Sequence, residues 1–164
     1  MKLTNQIFVD MDGVLADFDT QYEKVFGIKN NIEKDDVDWK KVRSIPNFYA
    51  DIPPMPDMRI LWNYVSSYNP IILTGIPSSV AEAAGNKVMW AVKNIGPEVR
   101  VWPVRSKEKY LYGKPGDILI DDWEKHRHRW ENMGGVWITH INAETTIEEL
   151  AELGIGDLYD TFKT

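Results

Sequence analysis

The sequence predicts an α/β fold in which a parallel sheet of about five strands carries helices on both faces. Two observations predict it. Short apolar runs alternate with longer amphipathic segments, and these runs are rich in β-branched and aromatic residues. Strands that alternate with helices favour parallel pairing, because each connecting helix covers one face of the sheet. The chain has 164 residues, a length typical of one domain with room for a small insertion.

The predicted strands are five apolar runs, each too short to form a helix: residues 7–9, 71–73, 99–102, 118–120 and 136–138. The segments between them show helical spacing, and we predict helices over residues 57–68, 79–94 and 123–132. Ser78 or Ser79 is the expected cap of the second helix. A last helix is expected after Thr145 and Thr146, which with Glu148 and Glu149 resemble a capping box.

Residues 18–56 break the alternation, because they contain several large aromatic side chains but no convincing strand. The segment ends in the proline-rich run IPPMP, which forms a rigid connector. We predict that residues 18–56 form a small helical cap inserted after the first strand. Residues 1–17 and 57–164 then form the α/β core. The alternative is that the inserted residues form peripheral helices on the main layer.

Composition excludes several classes of protein. The chain has 19 Lys and Arg against 25 Asp and Glu, a net charge of −6, which disfavours a dedicated binder of duplex nucleic acid. The absence of cysteine excludes disulfides and thiolate nucleophiles and fits a reducing compartment. The apolar runs are too short to span a membrane, and no signal-peptide pattern opens the chain. We therefore expect a cytoplasmic protein that has no membrane partner.

The clearest candidate site is the string FVDMDGVLADF, in which a buried strand runs directly into two acids. Alternation along an extended chain sends Asp10 and Asp12 to the same side. Two carboxylates at such a short distance repel one another unless a cation or a proton lies between them. Gly13 lets the chain turn sharply and brings backbone amides near these acids. Taken alone, the string also fits an acidic turn at a strand end.

Two other predicted strands deliver polar residues to the same edge of the sheet. Asp121 and Asp122 follow one of them, and Thr74 and Gly75 follow the other. Carboxylates and a hydroxyl suit a divalent, oxygen-ligated cation such as Mg²⁺ together with a phosphate. Asp122 would also serve as a helix cap, although capping needs only one acid.

The order of these motifs, from DMDG through Thr74 and a lysine to the pair of acids ending at Asp122, resembles that of the haloacid dehalogenase-like phosphohydrolases. More narrowly, the strings FVDMDGVLADF, FYADIPPMP, LTGIP and ILIDD resemble those of the 5′(3′)-deoxyribonucleotidases. The resemblance implies a Rossmann-like fold, Mg²⁺ as cofactor, and a small phosphorylated substrate. That substrate would be a nucleoside or deoxynucleoside monophosphate.

The resemblance also implies a role for each acid. Asp10 would attack phosphorus and form an aspartyl-phosphate. Asp12 would protonate the leaving oxygen and then deprotonate the attacking water. Mg²⁺ would be held by the Asp10 side chain, the Asp12 backbone carbonyl and Asp122. Asp121 would also contribute to catalysis, but it would contact the metal-binding residues and would not bind the metal directly.

The phosphate group would be bound by residues from two further motifs. The hydroxyl of Thr74 and the amide of Gly75 would hold its oxygens, and Lys109 would balance the charge on Asp10 and the phosphoryl group. Lys109 fits the spacing of the family best, and the alternatives are Lys107 and Lys114.

The sequence offers fewer candidate residues for binding the leaving group than for binding the phosphate. Phe18 directly follows the first motif and is a candidate for stacking on a base or sugar. The basic run at residues 124–129 is typical of a solvated helix face, with support of a nucleotide phosphate chain as the other interpretation. A short cap leaves an open site, so a sugar phosphate or the phosphorylated end of an oligonucleotide is an alternative substrate. A binding module without catalytic activity is an alternative of another class.

Overall fold

The centre of the molecule is a five-stranded sheet with the strand order β3-β2-β1-β4-β5. The computed structural model describes residues 5–28 and 37–156. The strands are β1 Ile7–Val9, β2 Ile71–Gly75, β3 Arg100–Val104, β4 Ile118–Asp121 and β5 Val136–Thr139. Every neighbouring pair in this sheet is parallel. The α/β class and the predicted parallel sheet of about five strands are therefore confirmed.

Between the strands, the described residues form six α-helices: α1 Phe18–Phe26, α2 Trp39–Ser44, α3 Met58–Val65, α4 Ala83–Asn94, α5 Arg127–Asn132 and α6 Ala143–Glu152. Short 3₁₀ segments lie at Ser66–Tyr68, Ser106–Leu111 and Glu124–His126. None of the described helices is long and apolar enough to cross a membrane.

Helices cover both faces of the sheet, as the strand pattern predicts. Ile7 and Val9 point to one face, where they join a large apolar cluster that includes residues of α3, α4 and α6. Phe8 points to the opposite face, where Trp130 of α5 meets it edge-on with ring centroids 5.6 Å apart. The apolar core therefore lies on both faces of the sheet around β1. The helices cover these faces and not the edge where the carboxyl ends of the strands lie, so a site can form at that edge.

The two ends of the segment predicted as a cap lie side by side. The amide of Asp17 donates to the carbonyl of Pro53, and the amide of Met55 donates to the carbonyl of Leu15, both at 2.8 Å. Helices α1 and α2 lie between these ends, and their apolar side chains join the cluster on the first face of the sheet. Residues 29–36 are outside the described residues, and the division into cap and core stays a prediction.

Two helix starts differ from the expected positions. Helix α4 begins at Ala83, because Ser78 and Ser79 lie in the turns that follow β2. Helix α6 begins earlier than its capping-box pattern indicates, because Asn142 is its cap and accepts from the Thr145 amide at 2.9 Å. In α6 the cap is another local polar residue, whereas Glu82 at the start of α4 makes no side-chain capping bond.

Strand β3 forms one edge of the sheet and contains a proline. The carbonyl of Val104 accepts from the amide of Ile76 at 2.8 Å, so Val104 bonds toward the inside of the sheet. Because bonding directions alternate along a strand, the preceding residue, Pro103, turns its backbone nitrogen outward. At this position the edge strand has no N–H group to donate.

Candidate active site

A cavity of about 580 Å³ opens at the carboxyl edge of the sheet. Apart from Phe18, it is lined by five of the predicted site residues: Asp10, Asp12, Gly75, Lys109 and Asp121. Phe18 also lines it, whereas Thr74 is fully buried and Asp122 lines a neighbouring cavity of about 390 Å³. The structure thus brings residues from three strand ends together, as the strand-end pattern predicts.

The turn after β1 holds the first two acids in place. The amide of Asp10 donates to the carbonyl of Ile120 at 2.8 Å, which ties the start of the turn to β4. Gly13 has a φ of +81°, and a Cβ atom there would overlap the carboxylate of Asp122. A glycine is required at this position for both reasons, because the backbone is left-handed and the approach is close.

Lys109 is the lysine that reaches the acids. Its Nζ lies 2.8 Å from Oδ1 of Asp10 and 2.8 Å from Oδ2 of Asp121, and its side chain is buried. Burial by itself lowers the pKa of Lys109, but the two carboxylates outweigh it and hold this pKa above its ordinary value. Lys109 therefore stays charged across the neutral range.

The two alternative lysines lie elsewhere. Lys107 is exposed on the wall of the cavity. Lys114 is exposed on the turn before β4, where its backbone amide donates to Asp117 at 2.7 Å. Of the three candidates, only Lys109 makes an ion pair with Asp10 or Asp121 within the described residues.

Three carboxylates form a group that could hold a metal ion. One oxygen each of Asp10, Asp121 and Asp122 lies within 4.8 Å of the others. The second oxygen of Asp121 accepts from the amide of Trp123 at 3.0 Å, so this carboxylate is fixed on both sides. Oxygen ligands of this kind fit Mg²⁺.

The charge balance of the site agrees with a divalent cation. The three clustered acids and Asp12 supply four carboxylates, while Lys109 and Lys87 supply two ammonium groups paired with them. These six groups by themselves carry a net charge of −2 when all are ionised and of −1 when Asp12 is protonated, and a divalent cation would offset this negative charge.

Lys87 is a site residue that the sequence reasoning missed. Its side chain is fully buried, and its Nζ donates to Asp12 Oδ2 at 2.8 Å, to the Thr74 hydroxyl at 3.0 Å and to the Gly75 carbonyl at 2.6 Å. Its position is four residues after Ala83 and three before Trp90, and that spacing puts a lysine on the buried face of α4. This spacing is the signal that could have found it.

Asp12 is held through one of its two oxygens. Oδ2 accepts from Lys87, while Oδ1 is buried and has no hydrogen-bond partner among the described residues. Such an orphaned acceptor is costly in a folded protein unless a ligand or a proton completes it. Because Asp12 lines the cavity, a group bound there is in a position to complete it.

Gly75 and Ser106 are in close contact at the floor of the cavity. A Cβ atom on Gly75 would overlap the hydroxyl of Ser106, which begins the 3₁₀ segment that carries Lys109. The contact favours glycine at the end of β2, because any larger residue would displace the side chain of Ser106. It also brings a second hydroxyl, which the sequence reasoning missed, into the lining of the cavity.

Phe18 lies in the wall of the cavity but is only 5% exposed. Its ring contacts four other aromatic rings, with centroids 5.6 to 6.3 Å away: Tyr22, Trp39, Phe48 and Tyr49. Burial, with the nearby charge of Asp12, raises the pKa of Tyr49 and keeps it neutral. Because the ring of Phe18 is almost fully buried against four other rings, Phe18 has a packing role. Stacking of Phe18 on a substrate stays a prediction.

The sequence matches no protein-family model and no curated protein. What the site does is therefore inferred from its residues and their geometry.

Proposed function

We propose that the chain is a Mg²⁺-dependent phosphomonoesterase of the haloacid dehalogenase-like class that hydrolyses nucleoside monophosphates, deoxynucleotides among them. The observation that carries the proposal is the ion-pair network at the strand ends, in which Lys109 joins Asp10 to Asp121. It combines a carboxylate nucleophile, a fixed positive charge and a group of acids for a metal in one cavity.

In the proposed reaction, Asp10 attacks the phosphorus atom and forms an aspartyl-phosphate, which divides hydrolysis into two easier steps. Lys109 holds the attacking carboxylate in place at 2.8 Å. Because its positive charge is fixed before the reaction begins, it also offsets the negative charge of the phosphoryl group.

Asp12 carries the proton in both steps. It protonates the oxygen of the leaving nucleoside, and the resulting carboxylate then removes a proton from the attacking water. Its Oδ1 atom is the one with no partner among the described residues, so this oxygen is the one we assign to the transfer. Lys87 fixes the other oxygen and with it the orientation of the group.

Asp10, the backbone carbonyl of Asp12, and Asp122 would hold Mg²⁺, as the charge balance of the carboxylate group supports. When bound, the ion supplies charge neutralisation for the phosphate. The amide of Gly75 and the hydroxyl of Thr74 would bind phosphate oxygens. The Thr74 hydroxyl oxygen accepts a hydrogen bond from Lys87, so the hydroxyl proton of Thr74 can be donated to the phosphate.

The test is release of inorganic phosphate by the purified chain. The substrates are nucleoside and deoxynucleoside 5′- and 3′-monophosphates, sugar phosphates and an aryl phosphate, each with Mg²⁺ and with excess chelator. We expect turnover of the nucleotides only with Mg²⁺. Asp10→Asn abolishes turnover because the amide is a poor nucleophile. Asp51→Asn, at an exposed acid outside the cavity, is the matched control and keeps full activity.

A trapped intermediate gives a second readout. Acid quenching during turnover should leave one phosphoryl group on the peptide that contains Asp10, seen by mass spectrometry. Full activity of Asp10→Asn, or full activity in chelator, would contradict the nucleophile or the metal. A chain that folds but releases phosphate from none of these substrates would instead support a binding module.

A further inference from the structure

The outer wall of the cavity is basic, although the chain as a whole carries a net charge of −6. Five basic residues beyond the floor line the same cavity as Asp10, and we call them the basic wall: Arg105, Lys107, Lys125, His126 and Arg129. The acids that line this cavity among the described residues are Asp10, Asp12 and Asp121, and all three have roles at the floor. The positive charge is therefore concentrated where the leaving group would lie.

Two parts of the fold build this wall. Arg105 and Lys107 follow β3, and the other three residues follow β4 on the 3₁₀ segment Glu124–His126 and helix α5. The parts meet where the guanidinium of Arg129 lies 5.8 Å from the ring centroid of Tyr110. Each part directly follows a β-strand of the sheet that also carries Asp10, so the sheet fixes the position of the basic wall relative to Asp10.

The basic run on α5 has two different faces. Arg127 pairs with Glu124 and Glu131 on its own surface, as expected of a solvated helix face. Arg129 lines the cavity, and no carboxylate among the described residues lies within ion-pair distance of it. The same holds for Arg105 and Lys107. Within residues 5–28 and 37–156, these three charges have no carboxylate partner of the kind that pairs with Arg127.

The electrostatic environment of His126 agrees with a positive wall. Partial burial lowers the pKa of His126, and the charges of Arg129 and Lys125 lower it further. The ring of Trp123 contacts both neighbours, with its centroid 5.7 Å from that of His126 and 5.1 Å from the Lys125 ammonium. Basic groups alternating with aromatic rings are typical of surfaces that bind a nucleotide with its phosphates.

We propose that the basic wall binds a second phosphate on the leaving group, so that the preferred substrate is a nucleotide bearing two phosphates. One phosphate is cleaved at Asp10, and the other is held at the wall, either as a free monoester or as the phosphodiester of a short oligonucleotide. This inference rests on the proposed function. Arginine favours phosphate because its planar guanidinium donates two parallel hydrogen bonds.

Affinity is the direct test, because it does not depend on turnover. We would measure binding to the full-length Asp10→Asn chain with Mg²⁺ by calorimetry. The ligands are adenosine 5′-monophosphate, adenosine 3′,5′-bisphosphate and a 5′-phosphorylated dinucleotide. We expect the two ligands with a second phosphate to bind about tenfold more tightly, with a preference that decreases at high salt.

Removing the wall's charge should remove this preference. Arg105→Gln with Arg129→Gln takes away two cations from exposed side chains and should bring the three affinities together. Lys40→Gln with Lys93→Gln removes two exposed cations outside the cavity and should leave the preference unchanged. Thermal melting checks that both double variants are folded.

Each outcome separates this inference from the proposed function. Equal affinities in the parent chain, or a preference that survives in the Arg105 and Arg129 variant, would overturn the second-phosphate site. A preference that depends on the wall, in a chain that hydrolyses no phosphomonoester, would uphold the site and overturn the proposed function. Comparing the bisphosphate with the dinucleotide then identifies which form of the second phosphate the wall prefers.

Discussion

Lys87 is the single residue on which most of the polar contacts around Asp12 depend. Its ammonium group donates to a carboxylate, a hydroxyl and a backbone carbonyl that come from two different strand ends. The centroid of the Tyr49 ring lies 4.7 Å from the same nitrogen, within the range of a cation–π contact. Taking away one partner of a buried ion pair leaves the other charge uncompensated, which costs about 3–5 kcal/mol in a fully buried setting.

Lys87→Met keeps the length of the side chain and removes its charge. We expect kcat for nucleoside monophosphates to fall by about a hundredfold, since Asp12 loses its orientation. The loss should be smaller for an aryl phosphate, whose leaving group needs little protonation. Lys93→Met, at an exposed lysine of the same helix, is the control and should leave both rates unchanged. Equal losses on the two substrates would mean that Lys87 only supports the fold.

A substitution at Phe18 can distinguish packing against its aromatic neighbours from stacking on the base of a substrate. Phe18→Ala would leave a hole among four rings and cost about 3–5 kcal/mol of stability. Phe18→Leu removes the aromatic face but keeps more of the volume than alanine does, so its cost in stability should be smaller than that of Phe18→Ala. If Phe18 stacks on the base, kcat/KM of the Leu variant falls about tenfold more for a nucleotide than for a sugar phosphate. A uniform fall on both substrates would leave only the packing role.

At the scale of the elements, the end of β2 and the 3₁₀ segment Ser106–Leu111 are in direct contact through Gly75. Gly75→Ala displaces Ser106, because the new methyl group overlaps its hydroxyl and lies 3.2 Å from its Cβ atom. We expect a loss of about 1–3 kcal/mol in the free energy of unfolding. Activity should fall as well, because Lys109 lies on the same 3₁₀ segment as Ser106.

A double-mutant cycle checks this contact. In the Ser106→Ala background the Gly75→Ala change should cost less, since the overlapping hydroxyl is gone. Gly85→Ala on α4 is the matched control, because outside its own helix backbone no atom of the described residues lies within 4 Å of the added methyl group. It should raise stability by about 0.4–1 kcal/mol through the unfolded state. Additive losses at residues 75 and 106 would contradict the contact.

The whole molecule should lose stability in mild acid because of His140. Burial lowers the pKa of His140 below its model-compound value of 6.5, although the negative charges of Asp57 and Asp10 partly oppose this. The unfolded chain therefore takes up the proton first as the pH falls. The contribution of a neutral His140 is fully present above about pH 6.5 and is lost as the pH falls through the lower native value.

Thermal melts between about pH 7 and pH 5 measure this effect. In His140→Gln the decrease in Tm over this range should be smaller than in the parent chain. His128→Gln, at an exposed histidine of α5, should keep the full decrease. A His140→Gln variant with an unchanged pH dependence would assign the acid sensitivity to the carboxylates instead.

The parts of the fold and site that could be predicted are those encoded by neighbours in sequence. Apolar runs identify the strands, and the acids that follow them lie together because parallel strands end at one edge. The family resemblance selects Lys109 among three lysines through its spacing in the motif, and its contacts with Asp10 and Asp121 agree with that prediction. Helical spacing could place Lys87 on the buried face of α4, but its contacts with Asp12 and Thr74 depend on how the helix packs against the strand ends.

Other details depend on tertiary contacts as well. Helix α4 begins at Ala83 although two serines before it are good caps. Glu82, at the actual start, accepts from the amide of Asn47, a residue far away in the chain. The basic run on α5 divides into a solvated face and a cavity wall only once the sheet has positioned the helix beside Tyr110.

The proline in β3 bears on how the protein behaves at high concentration. An edge strand with a full row of outward amides is a template on which a second chain can add a strand, and this is a common start of aggregation. Pro103 interrupts that row because its nitrogen faces outward and carries no hydrogen. Exposed Arg100 and Arg105 flank it and repel an identical edge. Self-association through this edge of the sheet is therefore disfavoured by the backbone itself, independently of anything bound at the active site.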